Sequence, residues 1–164
     1  MNKSRRICLA FIALILSAGC ATAPDGPPYS ASRATFQPSD KATVYVFRRY
    51  AEPTAWGATV QVSGHEVATL GQATFTWAFV QPGKQTIRAV WPALSGQHDS
   101  TIDSVLLAGR TYYFELVGIS QVSGAVGSAV TFRMGSGLNE IAPNAAEAIL
   151  AQCCRFQKPV TPNF

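Results

Sequence analysis

Two adjacent cysteines, Cys153 and Cys154, lie near the end of the sequence, and their thiols could take part in disulfide or redox chemistry. In an oxidising compartment such a pair can form a vicinal disulfide, bridge to another chain or remain as two thiols. A redox-active pair usually has a spacing such as Cys-x-x-Cys, which lets one thiolate be stabilised, and this pair lacks it. We therefore predict a disulfide or a pair of thiols here and rank a redox function last.

Other patterns that resemble catalytic or metal sites fail on their spacing. The two histidines, His65 and His98, each lack a second ligand at a metal-binding spacing. His98, Asp99 and Ser100 are the residue types of a hydrolase triad, but neighbours in sequence cannot form the hydrogen-bonded relay from base to nucleophile. The glycine-rich stretch 124–128 lacks the lysine and the following helix of a phosphate loop. The sequence predicts no catalytic residue, no metal site and no cofactor.

Basic and aromatic side chains that could recognise a ligand or a partner lie where the first predicted strand ends. Arg48, Arg49 and Tyr50 end that strand, and Trp56 follows in the next loop. A cation beside an aromatic ring can bind carboxylates or glycans, and exposed aromatic residues often anchor protein interfaces. We predict a contact site at these four residues. The other two tryptophans lie within predicted strands and are expected in the core.

The first 19 residues have the pattern of an export signal. Basic residues precede an apolar run at 7–16, which is too short to span a bilayer. The run is followed by the sequence SAGC, which ends at Cys20 and resembles the lipobox of bacterial lipoproteins. In that family small residues precede a cysteine that is diacylated and becomes the first residue of the mature chain. Ser17 departs from the pattern, because leucine is most common at that position.

The lipobox resemblance implies a location as well as a modification. Two or three acyl chains hold a protein on a bilayer permanently, whereas a single chain does so only marginally. In Gram-negative lipoproteins an aspartate after the lipidated cysteine commonly retains the protein in the inner membrane, and here the residue is Ala21. The resemblance therefore implies attachment to the outer membrane, facing the periplasm. The alternative is an ordinary secretory signal cut near residues 18–21, which would leave an unanchored periplasmic domain.

Charge and length exclude some functions and limit the number of domains. Loss of residues 1–19 removes three of the 13 lysines and arginines and none of the nine acidic residues, which leaves a net charge of about +1. The basic character of the full chain therefore comes largely from the signal, and nucleic acid is not an expected partner. The body of about 125 residues is long enough for one domain with a core and too short for two comfortable ones.

The chain after the signal is divided into a tether, a folded body and a tail. Residues 20–40 are rich in proline, alanine, serine and threonine and have no apolar periodicity, so they are predicted to form a flexible lipidated tether. The folded domain is predicted over residues 41–155. Its last element is the only expected helix, at about 142–153, with Asn139 or Asn144 as a cap. Residues 156–164 contain two prolines and are predicted to be a flexible tail.

Short β-rich runs separated by turn residues occupy most of the body. The predicted strands cover residues 42–49, 58–62, 66–70, 73–80, 85–91, 101–107, 110–117 and 129–134. The glycine-rich and serine-rich stretch 118–128 is predicted to connect the last two of them. This spacing predicts an all-β protein, a single antiparallel β-sandwich of about seven or eight strands with one C-terminal helix.

The order of several short motifs also resembles one family, the uncharacterised small lipoprotein domain of Gram-negative bacteria. The motifs are ATVYVFR at 42–48, a short strand into SG at 63–64, VATL at 67–70, PGK at 82–84 and GRTYYF at 109–114. The resemblance covers about residues 41–117. It implies a transthyretin-like or carboxypeptidase-regulatory-like β-sandwich with no established catalytic residues. Arg110 departs from the pattern, because an acidic residue is frequent there.

Together these features predict a non-enzymatic protein of the cell envelope, bound to the membrane through lipid on Cys20. Its expected role is structural or the binding of an envelope protein. The alternative is a module that binds glycan or peptidoglycan fragments through loop aromatics. An open sheet edge or an apolar patch would favour a protein partner, whereas an exposed aromatic cluster on a concave face would favour a glycan.

Overall fold

A computed structural model describes residues 24–127, 129–160 and 163 of the chain. These residues form nine strands and two α-helices. The strands are β1 (Ala42–Arg48), β2 (Ala58–Val62), β3 (His65–Leu70), β4 (Thr74–Val80), β5 (Gly83–Val90), β6 (Ser100–Leu106), β7 (Thr111–Val126), β8 (Ala129–Ile141) and β9 (Arg155–Phe156). The helices are α1 (Tyr29–Ser32) and α2 (Pro143–Cys153). None of the helices in these residues is long and apolar enough to cross a membrane.

The strands form two sheets that pack face to face, which confirms the predicted all-β sandwich. Sheet A has the order β8-β7-β1-β4-β9, and sheet B has the order β3-β2-β5-β6. Two details of the prediction are wrong. The described strands number nine rather than seven or eight, and sheet A is mixed, because β1 runs parallel to β7 and β4 runs parallel to β9. Long connections allow these parallel pairs, whereas short hairpins produce only antiparallel neighbours.

Strand β1 is the centre of the molecule, because it is buried on both of its faces. Val44 and Val46 point into the core between the two sheets. Tyr45 and Phe47 point to the opposite face of sheet A, where a second core forms beneath α2. A continuous run of apolar residues is typical of a strand that is covered on both faces. In a strand with one solvent-exposed face, apolar and polar residues alternate.

Helix α2 covers the outer face of sheet A and was predicted correctly. Leu150 and Ala146 are fully buried against the aromatic residues of β1, β4 and β7. Pro143 occupies the first turn, where its missing N–H removes no hydrogen bond. The predicted asparagine caps are absent, because the residue at the N-cap is Ala142 and no side chain bonds there.

The segment before β1 is packed on the domain, so the tether predicted for 20–40 is wrong over residues 27–37. Tyr29 is buried in the outer core, with its ring centroid 5.6 Å from that of Phe75. The Trp77 Nε1–H donates to the Ser32 carbonyl at 2.8 Å, and the Phe156 N–H donates to the Pro27 carbonyl at 2.9 Å. An aromatic side chain in the segment thus fills space that α2 leaves open. Residues 20–23 lie outside the described part of the chain.

The C-terminal segment is also packed on the domain, which corrects the predicted flexible tail over residues 156–160. Phe156 lies in β9 and its ring contacts Phe75 and Trp77. The Gln157 N–H donates to the Phe75 carbonyl, and the Val160 N–H donates to the Val67 carbonyl, both at 2.7 Å. Backbone hydrogen bonds to the sheet therefore hold this segment despite its prolines.

Strands β7 and β8 are much longer than the sequence pattern predicted. The stretch 118–128 was predicted to be a connection, but β7 continues through it to Val126 and β8 begins at Ala129. The β1–β7 pairing ends at Glu115, and from residue 120 to residue 133 the strand pairing joins only β7 with β8. We refer to residues 119–134 as the arm.

Candidate functional site

Arg48, the first residue of the predicted contact site, is completely buried at the end of β1. Its guanidinium donates hydrogen bonds of 2.5–3.1 Å to four main-chain carbonyls, those of Ala51, Pro53, Trp56 and Leu70. These hydrogen bonds hold the backbone of the loop between β1 and β2 in place, and we say that Arg48 brackets this loop. The side chain is therefore not available to a ligand. The prediction of a contact role is wrong for Arg48.

The charge of Arg48 is compensated without a direct ion pair. Its guanidinium carbon lies 4.8 Å above the centroid of the Trp91 ring, a favourable cation–π position. Burial lowers the pKa of Arg48 to about 10, and the Glu52 carboxylate opposes that shift. The group remains charged at neutral pH, so the carbonyl dipoles and the ring stabilise a cation that would otherwise be costly to bury.

The other three residues of the predicted site lie at the surface but do not form one platform. Tyr50 is 72% exposed and Trp56 is 37% exposed. None of the ring contacts among the described residues involves either of them. Arg49 binds the buried carboxylate of Glu115 through two nitrogens, at 3.0 and 3.1 Å. That ion pair occupies two nitrogens of the Arg49 guanidinium. The loop therefore presents Tyr50 and Trp56 as two individual aromatic side chains, without a free cation beside them.

The arm is a surface that the sequence analysis missed. Val122 is 66% exposed and Ile119 is 51% exposed, and residues 121–124 are all exposed. In addition, the sequence from 116 to 132 contains no charged residue. That absence of charge was the signal that could have identified the arm before the structure was known.

Strand β8 is an edge of sheet A, since β7 is its only partner among the described strands. Such an edge offers unpaired N–H and C=O groups to another chain, and proteins usually protect it with charge or cover. At the base of the arm an apolar groove of about 240 Å³ lies beside this edge. It is lined by Val117, Ile119, Gly135 and Gly137, because the two glycines leave a gap opposite the two larger residues.

The loop that Arg48 brackets also holds the base of the arm. The Glu52 N–H donates to the Gly118 carbonyl at 3.1 Å. The Gln97 side-chain amide donates to the Glu52 and Ile119 carbonyls at 3.2 and 3.3 Å. Arg48 therefore acts on the arm indirectly, as a positioning residue for the backbone at Glu52.

Cys153 and Cys154 form a vicinal disulfide at the end of α2. Cys154 is buried in the outer core, and Cys153 packs against that core. The structure thus selects the disulfide from the alternatives that the sequence left open. The position of the pair at the edge of a packed core is consistent with a structural role.

The residues that resembled catalytic groups have ordinary structural contacts. The Asp99 carboxylate accepts the Trp91 N–H at 3.0 Å and an Arg88 N–H at 2.6 Å. The Trp91 backbone hydrogen bond, with the Arg88 contact, holds the pKa of Asp99 below its usual value. Within the part of the chain that the structure describes, no three His, Cys, Asp or Glu side chains are grouped so as to hold a metal ion.

Comparisons of the chain with protein families, with curated proteins and with solved structures find no match.

Proposed function

We propose that this protein is a non-catalytic lipoprotein of the bacterial cell envelope that binds another envelope protein through its arm. The observation that carries the binding role is the long β7–β8 hairpin, with its exposed Ile119 and Val122 and its open β8 edge. A partner strand can add to such an edge through main-chain hydrogen bonds, while side-chain pockets beside it provide specificity. The apolar groove at the base of the arm is suited to that second task.

The anchor in this proposal is lipid on Cys20, in the outer membrane and facing the periplasm. Its support is the SAGC sequence behind a short apolar run. Six residues, 21–26, separate Cys20 from Pro27, whose carbonyl accepts the Phe156 N–H. Six residues and their flanking bonds reach at most roughly 25 Å, so the domain stays close to the bilayer. We also propose membership of the small lipoprotein domain family that the motifs resemble.

The anchor is tested by replacing Cys20 with alanine in the full chain. We expect the native protein in the membrane fraction, with an intact mass that begins at Cys20 and includes a diacylglyceryl group. Cys20→Ala should be unacylated and leave the membrane fraction, because nothing else then supplies two acyl chains. Cys8→Ala is the matched control, since Cys8 lies within the signal and should not matter. A native protein without acyl mass would refute the anchor.

The binding role is tested by a photoreactive amino acid at Val122, expressed in intact cells. We expect a discrete protein adduct after irradiation. The same amino acid at Val105, which is 65% exposed on sheet B, should give none. Adding Ile119→Asp should reduce the Val122 adduct about tenfold, because a charge in an apolar contact weakens binding by about 1.4 kcal/mol. Equal adducts at both positions, or lipid adducts alone, would contradict a protein partner at the arm.

A glycan-binding module is the alternative function. Its support is the exposure of Tyr50 and Trp56, each of which could stack on a sugar ring. The protein partner is favoured, because a glycan site usually brings its aromatic residues together in a concave pocket with convergent polar groups, and the described ring contacts include neither Tyr50 nor Trp56.

A further inference from the structure

A polar cavity of about 300 Å³ lies on the outer face of sheet A, between α2 and the segment that precedes β1. It is separate from the arm and from the loop that Arg48 brackets. Three tyrosine hydroxyls, those of Tyr29, Tyr45 and Tyr113, lie in its lining. All three rings are buried, with at most 8% of each residue exposed, so it is their polar ends that reach the cavity.

Each of the three tyrosine hydroxyls has a hydrogen-bond partner within the domain. Tyr113 Oη donates to Glu147 Oε1 at 3.0 Å and lies 3.4 Å from Tyr29 Oη. Tyr45 Oη accepts the Ala34 N–H at 2.8 Å, which leaves its own proton for another acceptor. Burial raises the pKa of Tyr45 to about 12 and also raises the pKa of Tyr113. Both phenols are therefore neutral donors at physiological pH.

One buried group in the lining lacks a partner. Thr43 is 1% exposed, and its Oγ1 has no hydrogen bond among the described residues. An unpaired buried hydroxyl costs free energy, and such groups are uncommon in folded proteins. Thr43 is on β1 next to Tyr45, on the strand face that the cavity adjoins. Oγ1 is itself buried behind the cavity surface, so Thr43 adds polarity to the wall of the cavity and is not a direct ligand contact.

Opposite charges line the same cavity without neutralising each other. Arg33 contributes a guanidinium and Glu147 a carboxylate, and no ion pair in the described residues involves either of them. Burial is the main cause of the raised pKa of Tyr29 and of Tyr45. Glu147 adds to both shifts and Arg33 opposes them, so both charges lie within electrostatic range of the same two hydroxyls.

We propose that this cavity binds a small zwitterion of the α-amino acid class, with the ligand's carboxylate at Arg33 and its ammonium at Glu147. A carboxylate suits a guanidinium, which can donate two parallel hydrogen bonds to it. An ammonium suits the Glu147 carboxylate, whose other contact is the Tyr113 hydroxyl. The Tyr45 hydroxyl keeps its own proton and can donate it to a carboxylate oxygen of the ligand. The volume is at the lower end of that of small-molecule sites, which fits a ligand of this size.

The proposal is tested by titrating the purified full chain with alanine while recording amide chemical shifts by NMR. We expect saturable shifts at the backbone amides of residues 33–37 and of Thr43. Alanine amide lacks the carboxylate charge and N-acetylalanine lacks the ammonium charge. Each should bind about tenfold more weakly or worse, because each loses one charge-assisted hydrogen bond.

Two variants assign the charges within the site. Arg33→Gln and Glu147→Gln should each weaken alanine binding about tenfold or more. Arg33 is exposed, and glutamine at 147 still accepts the Tyr113 hydroxyl, so both variants should fold. Arg110→Gln, an exposed arginine outside the cavity, is the control and should bind alanine normally. Unsaturated shifts at tens of millimolar alanine, equal binding of the capped compounds, or binding of neutral sugars alone would overturn the proposal. These readouts do not depend on the lipid anchor or on the arm.

Discussion

Replacement of Arg48 by methionine is expected to lower the free energy of unfolding by about 3 kcal/mol. Methionine fills much of the same volume but donates no hydrogen bond, so four loop carbonyls lose their donor. Removal of a buried charge offsets part of that loss, so the expected cost is below the sum of four hydrogen bonds. Chemical denaturation measures the change, and the thermal midpoint should fall by about 10 °C.

The control for this prediction is the same substitution at Arg88. Arg88 contacts Asp99 at 2.6 Å, but its side chain is half exposed, so Arg88→Met should cost at most about 1 kcal/mol. Protease digestion provides a second readout, because the loop over residues 49–57 should become cleavable in Arg48→Met and remain protected in Arg88→Met. Similar losses of stability in both variants would show that the Arg48 bracket is unimportant.

Replacement of Gly118 by alanine is expected to cost about 2 to 3 kcal/mol through overpacking. A Cβ at this position would lie 1.9 Å from the Glu52 carbonyl oxygen, which is main chain and cannot rotate away. Strand β7 and the β1–β2 loop must then separate, and the hydrogen bond from the Glu52 N–H to Gly118 is lost. Denaturation measures the cost, and hydrogen exchange at the Glu52 amide locates the opening.

Gly137 provides a matched control on the paired strand β8. A Cβ there would meet the Val117 side chain at 3.4 Å, which is close to an ordinary contact. Gly137→Ala should therefore be neutral, or stabilising by up to about 1 kcal/mol, because alanine restricts the unfolded chain. If Gly118→Ala were as stable as Gly137→Ala, the close approach of loop and arm would be refuted.

Both predictions concern the contacts that link Arg48, through the β1–β2 loop, to the base of the arm. Arg48 holds the loop, and the loop holds the base of the arm through Glu52 and Gly118. We therefore expect Arg48→Met and Gly118→Ala to weaken the photochemical adduct at Val122 as well, although neither residue is part of the proposed interface. That indirect effect should accompany the loss of stability.

The sequence by itself determined the local features of this protein. Alternation and turn residues located β2 to the residue and β1, β3, β4, β5 and β6 to within two residues at each end. The far ends of β7 and β8 were missed, and β9 was not predicted. Pro143, which suits the first turn of a helix, and the apolar face that follows it located α2. These features were predictable because a strand or helix is specified by the periodicity of its own residues. The export signal and the lipidated Cys20 follow from the same kind of linear pattern, and they remain predictions.

Only the tertiary structure decided what each surface and each polar residue does. The burial of Arg48, the packing of Tyr29 on sheet A and the parallel pairing of β1 with β7 all depend on residues far apart in sequence. The proline-rich segment before β1 has the composition of a tether, but it packs on the aromatic core of sheet A. The glycine-rich stretch after residue 117 has the composition of a loop, but it pairs with β8. The cavity between Arg33 and Glu147 likewise exists only because two distant segments meet over one sheet. Local pattern specifies secondary structure, whereas burial and function arise from contacts that no local pattern contains.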